Sequence, residues 1–258
     1  MNFWGHVEVL RWVLIRCLIV VFGIAVAVFC FKNFVFEHII LAPCDADFVT
    51  YRAMCRLGEM LGMAGLCPQI GEIEMININL SSQLMTHLSV SIYLSVVVAM
   101  PYLITEAWLF VKPALYSKER RVAKVAVVAF FFQFFLGLAL AYYLIFPLTY
   151  NFLGNYQVSE RVVNQISLSS YISTFVGLLL TMGLVFEMPI VAYFFARIGV
   201  LKSSLLSKYR KVAVVLTLVL AAFITPSTDV FTMCLVALPL YLLYEFSRWV
   251  VKRVEKRN

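Results

Sequence analysis

The sequence of 258 residues is 63% hydrophobic and 14% charged. This excludes a soluble globular domain, because such domains are about 45–50% apolar and about 25% charged. The apolar residues form continuous runs rather than the alternating pattern of a transmembrane β-strand, so we predict an all-α integral membrane protein. The net charge of +7 does not indicate nucleic-acid binding, because the basic residues are concentrated between the apolar runs.

Six apolar runs are candidates for membrane-spanning helices, which need about 20 mostly apolar residues. The first run is longer than the apolar region of a signal peptide and no small-residue cleavage site follows it, so we interpret it as a membrane helix. We treat residues 1–258 as a single six-helix transmembrane domain. The predicted spans are 13–36, 84–111, 123–150, 167–196, 211–224 and 230–247.

The fifth run, 211–224, is the shortest of the six. With a rise of about 1.5 Å per residue it covers roughly 21 Å, less than a hydrocarbon core of about 30 Å. We predict that it forms a short hairpin with the last run, turning at residues 225–229 where the bilayer is locally thinned. The alternative is a longer fifth helix that begins near Leu205.

The basic residues lie mostly on one side of the predicted bundle. Six spans place both termini on the same side, and that side carries 17 of the 21 Lys and Arg residues. Cytoplasmic loops carry an excess of Lys and Arg. We therefore predict that both termini are cytoplasmic, in a multi-pass protein of the bacterial inner membrane.

The first outer loop, residues 37–83, contains three of the six cysteines and a predicted amphipathic helix over residues 50–62. Such a loop faces an oxidising space. We predict a disulfide between Cys55 and Cys67, which flank the second half of that helix. Cys44 is a competing partner, and three free thiols are the remaining alternative.

Three carboxylates lie at or near membrane depth: Glu187 in the fourth span, Glu106 near the end of the second and Glu245 near the end of the sixth. A carboxylate inside a membrane is costly and usually faces a cavity or a partner. We interpret Glu187 as a cavity-lining functional acid, with a structural hydrogen-bond anchor as the alternative. Pro189 weakens the helix nearby. Glu106 and Glu245 are shallow enough to reach headgroup water, and for both we favour a structural role.

The sequence contains no HExxH or CxxC motif, no GxSxG elbow and no Gly-rich phosphate loop. We therefore predict a protein that is not an enzyme and needs no metal or organic cofactor. An ion-coupled secondary transporter is an alternative on physical grounds, although no repeat relates the first three spans to the last three.

A receptor for basic polypeptides is the third class, and two acids near the cytoplasmic face favour it. Glu119 lies among five cations in the segment 109–124, and Glu8 precedes the first span. Arginine offers a planar fork that binds a carboxylate bidentately. An acid placed among repelling cations can therefore select an arginine-containing peptide.

Six short motifs, taken in order, resemble the TatC family, the polytopic core subunit of the twin-arginine protein translocase. The resemblance covers almost the whole chain, and the combination is specific although no single motif is. The strongest block is "EAWLFVKPALYSKERR", whose W-x-F-x-x-P-x-L-x-x-x-E-R-R pattern is similar to that of the family. The others are "FWGHVEVLRWVLIR" at the N-terminus, "LAP" at 41–43, "FPL" at 146–148, "FEMPI" at 186–190 and "TPSTDVFT" at 225–232.

The resemblance implies a fold and a function. TatC proteins have a glove-like bundle of six helices with two short final helices. They bind signal peptides bearing two consecutive arginines on folded proteins, recruit single-span partners of the TatA and TatB type, and use the proton-motive force. The implied signal-peptide site contains Phe110, Tyr116, Glu119, Arg120 and Arg121, with Glu119 pairing with the arginines. Glu187 matches the family's intramembrane polar residue, and Pro43 and Asp229 match outer-loop positions that matter for assembly or structure.

The N-terminal motif departs from the family at one position. Aligned from His6 to Arg11, the family acid falls on Val9, whereas the glutamate of this chain is Glu8. We expect Glu8 to substitute for that acid; the alternative is that this half of the arginine site is weakened. Glu106 also departs, because it stands where the family often has glutamine, and it adds negative charge beside the site.

Overall fold

The computed structural model describes residues 3–62, 67, 75–111, 117–157, 159, 164–225 and 229–256, with backbone alone at 3–6, 61, 111 and 117–126. Most of these residues are helical, in agreement with the predicted all-α class. Within the described ranges, five stretches are long and apolar enough to cross a membrane. They are Val7–Cys30, Ser82–Phe110, Val127–Asn155, Leu168–Arg197 and Val230–Glu255.

Two very short strands pair in parallel, with Met75 opposite Ile166. The elements are α1 (Phe3–Cys30), α2 (Lys32–Val35), α3 (Val49–Leu61), β1 (Met75–Ile76), α4 (Ser82–Val111), α5 (Ser117–Leu140), α6 (Phe146–Asn155), β2 (Ile166–Ser167), α7 (Leu168–Val185), α8 (Met188–Arg197), α9 (Ser203–Lys208), α10 (Arg210–Ile224) and α11 (Val230–Glu255).

The predicted fifth span, 211–224, corresponds to the short helix α10, which has 15 residues. A longer fifth helix beginning near Leu205 is not what the structure contains. Tyr209 leaves the helical conformation, with φ −93° and ψ 17°, and separates α9 from α10. The apolar run was therefore a good guide to the start of this helix.

Two helices extend past the boundaries that hydropathy predicted. α1 begins at Phe3 rather than near residue 13, and α11 has 26 residues and reaches Glu255 rather than 247. Of the two final helices expected to be short, only α10 is. Hydropathy marks the part of a helix that suits lipid, not the point where its hydrogen bonding ends. The polar last turns of α11 still bury Val251 and Val254.

Two of the long spans are interrupted. A π-helical turn, Ala141–Ile145, joins α5 to α6. The span predicted over 167–196 breaks at Phe186 and Glu187, between α7 and α8. Pro189 has no N–H and cannot bond to the carbonyl of residue 185, which explains why the helix restarts at this point.

The centre of the bundle is a close crossing of α5 and α7. Gly137 of α5 and Gly183 of α7 allow this approach, because a Cβ on Gly137 would lie 2.7 Å from the carbonyl oxygen of Met182 and a Cβ on Gly183 would lie 2.8 Å from the ring of Phe134. Small residues allow such contacts between membrane helices. Both Phe134 and Met182 are fully buried there.

We expect Gly137→Ala to destabilise the protein by about 1–3 kcal/mol, because the added methyl group must displace backbone as well as the Phe186 ring. Gly177→Ala is the matched control, since a Cβ on Gly177 has nothing within 4 Å. The measurement is the apparent unfolding temperature of the detergent-solubilised protein. Equal temperatures for the two variants would show that the crossing is not tight.

A tyrosine-rich cap closes the end of the bundle near α3. The Tyr51 hydroxyl lies within hydrogen-bond distance of two carbonyl oxygens, 3.1 Å from that of Pro43 and 3.0 Å from that of Pro147. Tyr171 donates to the carbonyl of Ile40 at 2.6 Å. Burial raises the pKa of the Tyr51 phenol well above its usual range, so the hydroxyl remains a donor. These contacts join the segment after α2 to α3 and α7, and α3 to α6.

Candidate functional site

The N-terminal half of α1 lies against the C-terminal half of α4, and an ion pair joins them. Arg16 Nη2 is 3.3 Å from Glu106 Oε2, and the Tyr102 hydroxyl donates to Glu106 Oε1 at 2.8 Å. The Glu106 side chain is 8% exposed, whereas that of Arg16 is 53% exposed. The Arg16 contact is an ion pair without hydrogen-bond geometry, because Glu106 Oε2 has no hydrogen-bond partner in the described part of the chain.

Glu106 thus contacts Arg16 and Tyr102, and its pairing with Arg16 was not predicted. Arg16 was counted only as one of the cytoplasmic cations. The signal for the pair is present in the sequence, because a carboxylate near the end of one span needs a cation on a neighbouring span. What the sequence lacks is the information that α1 and α4 are neighbours.

Glu8 and Val9 lie on different faces of α1. The helix begins at Phe3, so neighbouring residues point about 100° apart. Val9 lies one turn before the buried Val13, and Glu8 lies one turn before Trp12, which is 55% exposed; Val9 is itself 38% exposed. The acid of this chain is thus rotated away from the position that the family motif would give it.

The arginine-site motif spans the end of α4 and the start of α5. Phe110 lies in the last turn of α4 and is half-buried. Glu119, Arg120 and Arg121 fall in the first turns of α5, where the structure describes only the backbone. Tyr116 lies outside the described residues. An acid in the first turn of a helix is favourably placed, because the N-terminus carries a partial positive charge.

Glu187 lies at the break between α7 and α8, at the N-cap position of α8. It is 4% exposed, and neither of its carboxylate oxygens has a hydrogen-bond partner among the described residues. The structure thus shows no anchoring hydrogen bond for this side chain. A buried carboxyl group without partners is expensive, so its presence needs a reason other than local folding.

The outer-loop residues have clear local contacts. Pro43 is buried in a 3-10 turn, and its carbonyl oxygen lies 3.1 Å from the Tyr51 hydroxyl. Asp229 caps α11, accepting from the backbone N–H of Thr232 at 2.8 Å and from its hydroxyl at 2.6 Å. Cys55 and Cys67 are joined by a disulfide, which is the predicted pairing. This bond ties α3 to the segment that follows it.

A groove of about 980 Å³ lies between the N-terminal half of α4 and α7. Hydroxyl-bearing side chains line part of it, beside apolar side chains such as Met85, Val176 and Leu180. Two of these hydroxyl groups are directed back at their own helix, since Ser173 donates to the carbonyl of Ser170 at 3.0 Å and Thr181 to that of Gly177 at 2.6 Å. Such side chains tolerate either water or another helix. The hydroxyl-bearing residues that line the groove include Ser82, Thr86, Ser89, Ser169, Ser173 and Thr181.

The described part of the chain contains no group of three His, Cys, Asp or Glu side chains that could hold a metal ion. Its charged features are instead an interhelical ion pair, a buried carboxyl group at a helix break and a cation-rich motif at the start of α5. Together with the five long apolar helices, these features define a polytopic α-helical membrane protein.

Comparison with known proteins identifies the family. The profile of the family described as Sec-independent protein translocase protein (TatC) matches residues 5–239. The TatC protein of Blattabacterium sp. subsp. Periplaneta americana (strain BPLAN) is 31% identical over 260 residues, which cover 100% of this chain and 97% of the relative. That of Desulforapulum autotrophicum is 34% identical over 245 residues, covering 95% and 82%.

Solved structures agree with the sequence relatives. A crystal structure of the twin-arginine translocase receptor TatC matches with a TM-score of 0.70 and 29% identity, covering 97% of this chain and 99% of the other. A second structure of that receptor, in DDM, matches with a TM-score of 0.72 over 95% of this chain. The chain belongs to the TatC family of Sec-independent protein translocase proteins.

Proposed function

We propose that this chain is the signal-peptide-binding core subunit of a twin-arginine translocase in the bacterial cytoplasmic membrane. The observation that carries the proposal is the match to the TatC family across nearly the whole chain, which includes the E-R-R motif at the start of α5. The subunit binds and positions polypeptides and has no catalytic step of its own. Both termini and the connection between α4 and α5 face the cytoplasm, and α10 completes six crossings.

Recognition of the twin arginines is assigned to Glu119. Its carboxylate can accept two parallel hydrogen bonds from one guanidinium group. Lys118, Arg120 and Arg121 surround it in sequence, so a basic peptide is repelled unless one of its arginines engages the acid. Exposed charges are screened over about 8 Å at physiological salt, and the acid therefore dominates only at short range. Phe110 and Tyr116 supply the apolar sides of the site.

The N-terminal helix α1 contributes less to the recognition of the twin arginines than the family motif suggests. Glu8 is exposed on the face of α1 that carries Trp12, so it reaches a bound peptide only from the side. The Arg16–Glu106 pair holds α1 against α4 below the site. We infer that Glu8 supports binding and that Glu119 carries most of the recognition.

We assign the binding of the apolar segment of the signal peptide, or of a partner helix, to Glu187 and the groove between α4 and α7. Glu187 is buried without a hydrogen-bond partner among the described residues, and a polar group of an inserted segment would satisfy it. The hydroxyl-lined groove between α4 and α7 has room for side chains of such a segment. Single-span proteins of the TatA and TatB type are the proposed partners, and the proton-motive force the energy source.

The main competing function, an ion-coupled secondary transporter, is not favoured. The family match and both solved structures belong to protein translocase components. Export of a folded fluorescent reporter with a twin-arginine signal tests the proposal in a strain lacking this chain. We expect the reporter to accumulate in the cytoplasm and to be exported again when the chain is restored. Normal export without the chain would refute the proposed function.

A further inference from the structure

A second charged feature lies at the end of the bundle where α8 and α11 finish. The two helices pack through the buried residues Ala196, Val251 and Val254. Beside this seam is a pocket of about 680 Å³. Arg197, Arg253 and Lys256 line it together with Tyr193, Trp249 and Val254, and none of the described lining residues is acidic.

The pocket is preorganised for an anion. The Arg253 guanidinium Cζ lies 3.8 Å from the centre of the Trp249 ring, a cation–π contact that fixes the direction of its N–H groups. Arg197 and Arg253 lie in the last turns of their helices. Each helix C-terminus carries a partial negative charge of about −0.5, which offsets only part of the charge of the neighbouring cation.

The nearest acids on α11 are engaged elsewhere. Glu255 accepts from the backbone N–H of Ser203 at 2.9 Å and also from the Ser203 hydroxyl. Glu245 pairs with Arg210 at 2.6 Å and with Arg248 at 3.0 Å. Among the described residues, neither carboxylate forms an ion pair with Arg253 or Lys256. A positive-inside topology signal accounts for the cations, but it requires neither the stacked tryptophan nor the cavity.

We propose that this pocket binds the phosphate group of an anionic phospholipid. Its position favours a lipid over a free phosphate, because it lies at the end of two apolar helices and combines cations with an aromatic ring and an apolar wall. Basic pockets between membrane helices bind anionic headgroups in this way, and tryptophan favours the headgroup level. The bound lipid fastens the C-terminal turn of α11 to α8, and it does so whether or not the chain recognises signal peptides.

The test is native mass spectrometry of the full chain in detergent, titrated with phosphatidylglycerol. Arg253→Gln/Lys256→Gln is expected to weaken the apparent affinity by at least about tenfold, since each basic residue near the headgroups is worth about 1 kcal/mol. Arg56→Gln/Lys211→Gln removes the same two charges from exposed positions outside the pocket and is expected to bind like the wild type. The exchange Arg253→Lys/Lys256→Arg keeps the charge and is expected to retain binding.

Three outcomes would overturn the proposal. Equal losses in the pocket variant and its charge-matched control would indicate diffuse attraction to the whole surface. Equally tight binding of phosphatidylcholine would show that negative charge is not recognised. Displacement of phosphatidylglycerol by millimolar inorganic phosphate would assign the pocket to a free anion instead of a lipid.

Discussion

Glu119→Gln is expected to reduce cross-linking of a twin-arginine signal peptide to this chain by more than about tenfold, while the protein remains in the membrane. Loss of one partner from a desolvated charge pair costs about 2–5 kcal/mol, and about 1.4 kcal/mol already corresponds to a factor of ten. A solvent-exposed pair would be worth only about 0–1 kcal/mol. The size of the loss therefore also reports how far the site is desolvated. The measurement is photo-cross-linking in membranes, normalised to the amount of chain.

Two further variants sharpen this experiment. Glu59→Gln removes an exposed carboxylate from α3 and serves as the matched control, with no expected loss. Glu8→Gln is expected to have a smaller effect than Glu119→Gln, because Glu8 is rotated about 100° from the motif position on a regular helix. Unchanged cross-linking for Glu119→Gln would refute this residue as the receptor carboxylate. Strict additivity in a Glu8→Ala/Glu119→Ala cycle would argue against one shared site.

Exchanging the charges of Arg16 and Glu106 together is expected to restore the stability that is lost when either charge is reversed alone. Glu106→Arg places a second cation beside Arg16, and Arg16→Glu places a second carboxylate beside Glu106. Breaking a fully buried pair costs about 3–5 kcal/mol; because Arg16 is 53% exposed, we expect about 1–3 kcal/mol for each single change. The double variant restores an opposite-charge pair between α1 and α4.

The apparent unfolding temperature in detergent and signal-peptide cross-linking are the two measurements for these variants. Both are expected to fall in the single variants and to recover in the double variant. Arg52→Glu is the control for charge reversal alone, because Arg52 is exposed on α3. A double variant as unstable as the singles would show that the two charges do not stabilise each other, and the pair would then not be what positions α1.

Much of the fold was predictable because lipid imposes strong constraints on sequence. A helix that crosses a membrane must be apolar over most of its length, so hydropathy located five long helices and the short α10. The amphipathic helix predicted over 50–62 was confirmed as α3. Helix ends were predicted less well, because the polar turns of α1 and α11 outside the apolar runs carry no hydropathy signal.

The candidate site was predictable only in part. The motif residues were found because they are contiguous in sequence, as in the E-R-R segment at the start of α5. The Arg16–Glu106 pair was missed because its members lie on different spans, and the pocket beside Trp249 was missed because its cations belong to two helices. Helix neighbours in a membrane are chosen by close packing, which depends on many small contacts and leaves no short pattern in the sequence.

The sequence alone determined the membrane class, the approximate spans and, through its ordered motifs, the resemblance to the TatC family. These properties follow from local composition and contiguous residues. The tertiary structure alone decided which charges meet, that the fourth span breaks at Glu187, and that this carboxyl group is buried without a hydrogen-bond partner among the described residues. It also decided that residues 8 and 9 lie in a regular helix, so that Glu8 points about 100° away from Val9. Burial and pairing arise from packing between distant segments, and they decide what a carboxylate can do.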